Sequence, residues 1–583
     1  MTLAPKYLSF DELLQKRLFE IPSYQRAYSW DTKQRKDLFN DIEKLHGTND
    51  SSNRKSHFMA TVVCHNENRN EAYDTELYNV LNIVDGQQRI TTLIILLKAI
   101  EKKLYTINLD NRFNRSINYI NDLLVKDDNK RLILIQTNHS SSTILREYLI
   151  HGIYPKEIKT HAAKALNNGF KDCETFVEDW CAKYEITDLL ILLRNDLYFI
   201  LHILEDEAAV YTVFEVLNSR GLAVDWLDKC KSMLMGIAFE QSNNDKFMLE
   251  DKLHWLRVYW SKIYEEIGVL NIDGKDIVTF TATIYNSHQY SKIMEIDSAM
   301  DYFKTICLKD TENVLEVSKW LYDVTHQLKL IEQNVKKKAV NKVKHARFLQ
   351  VAIKLSGHIN SKEEKELLEL WETTTFKVFG LFRKDSRHLV GEFVRLGHYI
   401  MGFDIISNQY SNVRFVKTKE KLVEIAYEHS WKDIGRILRE EKSYGIWNQE
   451  LRYFLYHYEK ELSKINNNYF SEKNWDVIWS KNIENTIEHV YPQQDSDVWK
   501  GKVSKNKDHY RHLLGNLILL PIKLNSKASN SDFKSKLSIY NTSDINAAKE
   551  IGQKYSDWNY NSINARTEHL IGFAQSFWSI EGK

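Results

Sequence analysis

Proline is scarce: five residues in 583, beside many Leu, Lys and Glu, so few positions break helices and a mostly helical chain is expected. Cysteine is as scarce. Cys64, Cys173, Cys181, Cys230 and Cys307 are scattered without a CxxC pair and none follows Cys307, which excludes a disulfide framework and a zinc ribbon. Any C-terminal site must be built without a zinc knuckle. Long apolar runs are absent too. The longest candidate, Ile94 to Leu97, falls far below the roughly 18 residues that cross a bilayer, so no membrane span is expected. Met1 to Phe10 lacks the apolar stretch of a signal peptide, and the expected location is the cytoplasm. A net charge of +1 excludes no partner, because clustering of basic residues decides nucleic-acid binding. What is plentiful is core-forming material: 43% hydrophobic and 27% charged residues describe a globular chain, and its length predicts two to four domains.

Ser9 is expected to cap an amphipathic helix over Phe10 to Leu18, followed by an extended segment containing Tyr24-Gln25-Arg26 and Trp30. Thr32 to Leu45 reads as a helix. Phe58 to Cys64 and Leu77 to Val84 read as two strands of a hairpin. The second runs into Asp85-Gly86-Gln87-Gln88-Arg89, and Ile90 to Lys103 reads as a helix with an apolar face. Strand, Gly-containing turn and helix N-terminus form a geometry that binds phosphate through free first-turn amides, and Arg89 adds a fork-shaped cation. The plainer reading makes Asp85 the helix N-cap and Arg89 a surface residue. Residues 104–200 read as a helical insertion, and Leu197 to Leu204 as a strand. Phe214-Glu215-Val216-Leu217-Asn218-Ser219-Arg220-Gly221 reads as a helix expected to end near Asn218 and Gly221, with Arg220 expected to project from the turn.

Tyr24-Gln25-Arg26 with Trp30, Asp85-Gly86-Gln87-Gln88-Arg89, and Phe214-Glu215-Leu217-Asn218-Arg220-Gly221, in that order, resemble the N-terminal domain of GmrSD-type modification-dependent restriction proteins. The resemblance implies a ParB/sulfiredoxin-like domain over residues 1–235 that binds and hydrolyses a nucleoside triphosphate and senses DNA. It also implies a phosphate loop of Asp85, Gly86, Gln87 and Arg89, surrounded by Gln25, Arg26, Asn218 and Arg220.

Residues 236–440 show helical periodicity throughout and are read as a connecting domain. The basic run from Lys336 through Arg347 could track a phosphate backbone or form the solvated face of a helix. The acidic stretch from Glu363 to Glu369 favours the second reading.

Residues 441–583 carry Thr486-Ile487-Glu488-His489-Val490-Tyr491-Pro492, then Leu513 to Leu520 as an apolar strand holding Asn516, then Asn525-Ser526-Lys527 and a helix over Phe533 to Tyr540. Acid beside His, then two Asn, is the residue set of a one-metal nuclease. His489 would deprotonate water, Glu488 and Asn525 would hold Mg²⁺ or Mn²⁺, and Asn516 would fix the imidazole tautomer. Asn530 and Lys527 stand as substitutes for Glu488 or as phosphate contacts. Lys500, Lys502, Lys505, Lys507, Arg511 and Lys527 would contact DNA, and His509 and His512 are read with them.

Strand, loop, strand and helix in this order resemble the His-Asn-Asn variant of the HNH endonucleases, a ββα-metal fold. The expected fold class is therefore mainly α with α+β portions. The expected protein is a nucleotide-regulated, metal-dependent endonuclease acting on modified phage DNA as a type IV restriction protein, and the reading admits a homodimer. Two alternatives are a DNA- or nucleotide-binding regulator with a degenerate nuclease and a nuclease toxin that senses no modification.

Overall fold

A computed structural model describes residues 5–22, 24–48, 56–73, 75–108, 111–126, 131–136, 142–205, 225–241, 246–270, 272–286, 291–402, 411–469, 471–494, 496–503 and 506–580. The chain divides into two compact units, residues 1–285 with 294–329, and residues 286–293 with 330–583.

The first unit is built on a six-stranded mixed sheet. Its strands are β1 (Lys6–Ser9), β2 (Arg17–Ile21), β3 (His57–Tyr73), β4 (Glu76–Asp85), β5 (Leu134–Gln136) and β6 (Leu197–Leu204), in the order β1-β6-β3-β4-β2-β5. The expected hairpin is present as antiparallel β3 and β4, with Tyr73 opposite Glu76 and register shifts at Val63/Cys64 and His65/Arg69. Ser9 caps its helix as expected and makes a capping box with Glu12, yet α1 (Phe10–Leu14) stops four residues short of the expected end. Arg17–Ile21 instead form β2, parallel to β4 and β5, so sheet pairing overrides the helical pattern there.

After α2 (Thr32–Thr48), β3 and β4, Asp85 ends β4 and α3 (Gln87–Ile107) follows directly. The N-cap of α3 is Gly86, not Asp85, at φ +90° and with no side-chain cap. A Cβ at Gly86 would lie 3.1 Å from the Thr61 carbonyl oxygen, so both backbone conformation and space require glycine. Ile90 and Leu93 to Leu97 of α3 are fully buried. They share a core with Leu166, Phe170 and Trp180 of α4 (His161–Cys181). The segment expected to be an insertion is thus part of the domain core, and it contributes strand β5 as well.

In the second unit, helices carry most of residues 330–465. The basic run is paired with carboxylates: Lys337 with Glu372 at 2.6 Å, Lys342 with Glu450 at 2.8 Å and Arg347 with Glu332 at 3.2 Å. Two three-residue strands follow, β7 (Ile487–His489) and β8 (Leu517–Leu519), antiparallel with His489 opposite Leu517. Helices α5 (Ile522–Ala528), α6 (Phe533–Asn541) and α7 (Tyr560–Phe577) complete the region. The expected strand over Leu513 to Leu520 is shorter because Leu514–Asn516 form a 3-10 turn. Gly515 sits there against α7, where a Cβ would lie 2.2 Å from the Ile563 carbonyl oxygen. Arg566 of α7 donates to the carbonyls of Gly515 (2.8 Å) and Leu517 (2.9 Å), which fixes β8 from behind. Among the described residues, no helix is long and apolar enough to cross a membrane.

Candidate nuclease site and nucleotide pocket

Side chains alternate along a strand, so His489 and Glu488 leave β7 on opposite faces. On its face, His489 is 4% exposed. Gln493 Nε2 donates to its Nδ1 at 3.1 Å, and its Nε2 lies 3.4 Å from His512 Nδ1. His512 Nε2 in turn faces Asp508 Oδ1 at 3.4 Å. One proton arrangement satisfies all three contacts: Nε2–H on His512 toward Asp508, Nε2–H on His489 toward His512, and a bare Nδ1 on His489. The Tyr444 ring packs edge-on to His489 with centroids 4.5 Å apart and stacks on His512 at 5.5 Å. The backbone N–H groups of Ser443 and Tyr444 hold the His512 carbonyl. Burial, aided by the neighbouring His512, Lys536 and Arg511, pushes the His489 pKa down to about 3, so the ring is neutral at neutral pH.

Asn516 does not touch that ring. It is fully buried, donates to the carbonyls of Tyr491 (2.8 Å) and Arg511 (2.9 Å), and accepts from the Tyr491 N–H (2.7 Å) and Trp558 Nε1 (2.9 Å). Its own carbonyl accepts from Val490 at 3.0 Å. Asn516 therefore fixes the backbone after His489, and the tautomer task expected of it falls to His512 and Gln493. The reading of His512 as a DNA contact is corrected in the same way.

Glu488 is also corrected. Its side chain is 4% exposed, and its Oε1 accepts from Lys536 Nζ at 2.7 Å and from Tyr540 OH at 2.8 Å. Lys536 and Tyr540 are four apart on α6 and so share one helix face. Lys536, fully buried, also donates to the His489 carbonyl at 2.6 Å. Burial pushes the Glu488 carboxyl up, opposed by Lys536 and Tyr540. A divalent cation at Glu488 Oε1 would have to displace the ammonium that already holds that oxygen. Among the described residues, no group of three His, Cys, Asp or Glu side chains is arranged to hold a metal ion.

Asn525, expected on a polar segment, lies in α5. Its Nδ2 donates to the carbonyls of Asn485 (3.0 Å) and Ile487 (3.3 Å), which turns Oδ1 away from β7. Asn530 is paired with Gln494 at 3.1 Å. Of the expected DNA contacts, Lys500 and Lys527 are exposed and Lys507 is half-buried. Lys502 is neutralised by Asp557 at 2.6 Å, and Arg511 donates to the Pro492 carbonyl at 3.1 Å with its guanidinium 5.5 Å from the Tyr491 ring centroid. Lys505 lies outside the described residues.

In the first unit, a cavity of about 880 Å³ is lined by Arg26, Trp30, Lys33 and Arg89, by Asp37, Asp41, Asp225 and Asp228, and by Trp226 and Tyr264, among others. Two expected nucleotide ligands, Arg26 and Arg89, thus reach one cavity. Arg26 Nε lies 3.3 Å from Asp228 Oδ2, and Asp228 Oδ1 accepts from Tyr264 OH at 2.5 Å. The Arg89 guanidinium lies 5.8 Å from the Trp30 ring centroid. Gln25, Asp85, Gly86 and Gln87 do not line the cavity. Gln25 donates to the Val84 carbonyl (3.1 Å). Gln88 bridges the Ser29 N–H (2.9 Å) and the Ala27 carbonyl (3.2 Å), so Gln25 ties the Arg26 segment to β4 and Gln88 ties it to α3. Gln87 Oε1 is buried without a hydrogen-bond partner. Burial raises the Asp85 pKa, with the Gly86 amide, Arg26 and Arg89 opposing. Asn218 and Arg220 lie outside the described residues.

The functional partners missed in the sequence are Gln493, Tyr444, Asp508 and Lys536 in the second unit, and Trp226 and Tyr264 in the first. Only Gln493, directly after Pro492, had a local signal.

Residues 10–235 match the family model described as GmrSD restriction endonuclease, N-terminal domain, and residues 428–573 match that of the GmrSD restriction endonuclease C-terminal domain. A search of curated proteins found no match. Arg26 and Arg89 of the cavity fall within the first matched segment, although Tyr264 on its wall lies beyond it, and the His489 site falls within the second; together the two segments span more than half of the sequence. The chain belongs to the GmrSD restriction endonucleases.

Proposed function

We propose that the second unit hydrolyses DNA phosphodiester bonds with His489 as general base, and that a nucleoside triphosphate bound in the first unit regulates the cut. The observation that carries the first part is the bare Nδ1 of a neutral, oriented His489. Gln493, which is exposed, marks that atom's open side, and a water in the place of its amide would donate to the same lone pair. Transfer of that proton to Nδ1 lets the hydroxide oxygen bond to phosphorus as the P–O bond to the leaving strand breaks. His512 Nδ1, backed by Asp508, then holds the Nε2–H of the imidazolium in its orientation. Exposed Lys500 and Lys527 supply backbone contacts of the kind that dominate DNA affinity.

The nucleotide part rests on two guanidinium groups, an ammonium and two tryptophans lining one cavity, suited to phosphates at one end and a base at the other. The carboxylates of Asp37 and Asp41 are acceptors for sugar hydroxyls. Modified phage DNA as the substrate is proposed from the resemblance of the N-terminal motifs to modification-dependent restriction proteins. The degenerate-nuclease alternative gains one observation, the engagement of Glu488 by Lys536, but His489 remains equipped to act.

The test is cleavage of matched modified and unmodified phage DNA, with and without each triphosphate and Mg²⁺. Faster cleavage of modified DNA that depends on a triphosphate supports the proposal. Equal cleavage of both DNAs regardless of nucleotide overturns the regulatory part, and no cleavage under any condition overturns the nuclease part.

A further inference from the structure

The Glu488–Lys536 pair is a costly element to build. Two charges are removed from water, and a buried ion pair of this sort adds little stability over an apolar pair of the same shape. Its geometry points to another use. Lys536 bridges Glu488 Oε1 (2.7 Å) and the carbonyl of His489 (2.6 Å), while Tyr540 OH holds the same Oε1 from one helical turn away. The ammonium thus grips the backbone of the residue whose ring does the chemistry. The Trp499 ring, 6.0 Å from Nζ, covers it on another side.

We propose that Lys536 is the resident cation of the nuclease site. It is a positioning residue that fixes the His489 carbonyl, and Glu488 serves as its counter-charge and not as a ligand of a divalent metal. The inference rests on His489 as the base. A hard cation bound at Oε1, alone or with the carboxylate bidentate, would sit at about 2.0–2.6 Å and would have to expel the ammonium from that oxygen. Expulsion would leave Lys536 buried without a counter-charge and release the His489 carbonyl.

The two roles of Glu488 predict opposite outcomes in a double-mutant cycle on the full chain, read by nicking of supercoiled plasmid over a range of Mg²⁺ concentrations. Glu488→Gln and Lys536→Met each strand one buried charge or one set of donors, and each is expected to lower the rate by about a hundredfold. Glu488→Gln combined with Lys536→Met removes both charges and is expected to recover to within about tenfold of the parent at every Mg²⁺ level. A double variant as inactive as Glu488→Gln, or one that needs at least tenfold more Mg²⁺, would overturn the proposal. So that the outcome does not depend on the variants folding, the unaltered chain is labelled with an amine-reactive reagent and Lys536 is followed by mass spectrometry. The proposal expects Lys536 to stay protected in millimolar Mg²⁺ or Mn²⁺, whereas exposure on metal addition contradicts it. His489→Ala in the unaltered background separates the two readings: retained cleavage there sinks the base assignment itself.

Discussion

Replacing Asn516 with Ala removes four hydrogen bonds from a site with no water access: two donated to the Tyr491 and Arg511 carbonyls and two accepted from the Tyr491 N–H and Trp558 Nε1. At about 1 kcal/mol net for each bond, the cost is about 4 kcal/mol, and more if the four stranded groups find no new partners. For a unit of this size that corresponds to a fall on the order of 10 °C in its unfolding midpoint. The assay is thermal unfolding of the full chain followed by tryptophan fluorescence, since Trp558 reports on this site directly. Cleavage should fall with the folded fraction, and any activity that remains should keep the parent's pH profile, because Asn516 holds backbone and not the His489 ring. An unchanged midpoint with lost activity and a shifted pH profile would refute this account and restore the tautomer role that the sequence suggested.

Gln493→Glu places a carboxylate where an amide now donates to His489 Nδ1 at 3.1 Å. The negative charge favours the imidazolium and raises the ring's pKa from about 3, so the acid limb of the cleavage rate should move to higher pH; an unmoved limb counts against Nδ1 as the basic atom. Burial also holds His345, His398 and His457 of the same unit down to about 4. For these groups and His489 the folded pKa lies below the unfolded value near 6.5, so the unfolded chain binds protons first and stability is lost as pH falls from about 6.5 toward 4. Thermal unfolding measured from pH 7 to 4.5 should show that unit's midpoint dropping, and a flat midpoint would contradict the burial of neutral rings. Gly86→Ala forces a side chain into φ +90° and against the Thr61 carbonyl, at a cost of about 1–2 kcal/mol before any clash is relieved. It should weaken triphosphate binding to the full chain in calorimetry, and unaltered affinity would detach the α3 turn from the pocket.

What the sequence made legible was local. The β3–β4 hairpin and α3 followed from two apolar runs, a glycine turn and a helical stripe, and the Ser9 cap from the amphipathic run that it precedes, although β3 extends to Tyr73 through the stretch expected as a turn. Helix α1 ended early because Arg17 to Ile21 find strand partners on both sides, information that resides in β4 and β5. His489 was visible from its short motif, but its surroundings were not. His512 reaches the ring from 23 residues away and Lys536 grips its carbonyl from 47 away. No periodicity connects such positions. That Glu488 leaves the strand opposite His489 was legible, but that α6 covers its face with Lys536 was not. Arg26 and Arg89 were both identified as nucleotide-binding residues, whereas the cavity they share is completed by Trp226 and Tyr264, which carry no motif of their own.

The central claim, that His489 is the base of a DNA endonuclease, is tested most directly by single-turnover cleavage of plasmid DNA by His489→Ala. The account predicts a rate lower by about a hundredfold to ten-thousandfold, the usual contribution of a general base, with triphosphate binding in the first unit unchanged. Cleavage within tenfold of the parent would contradict it.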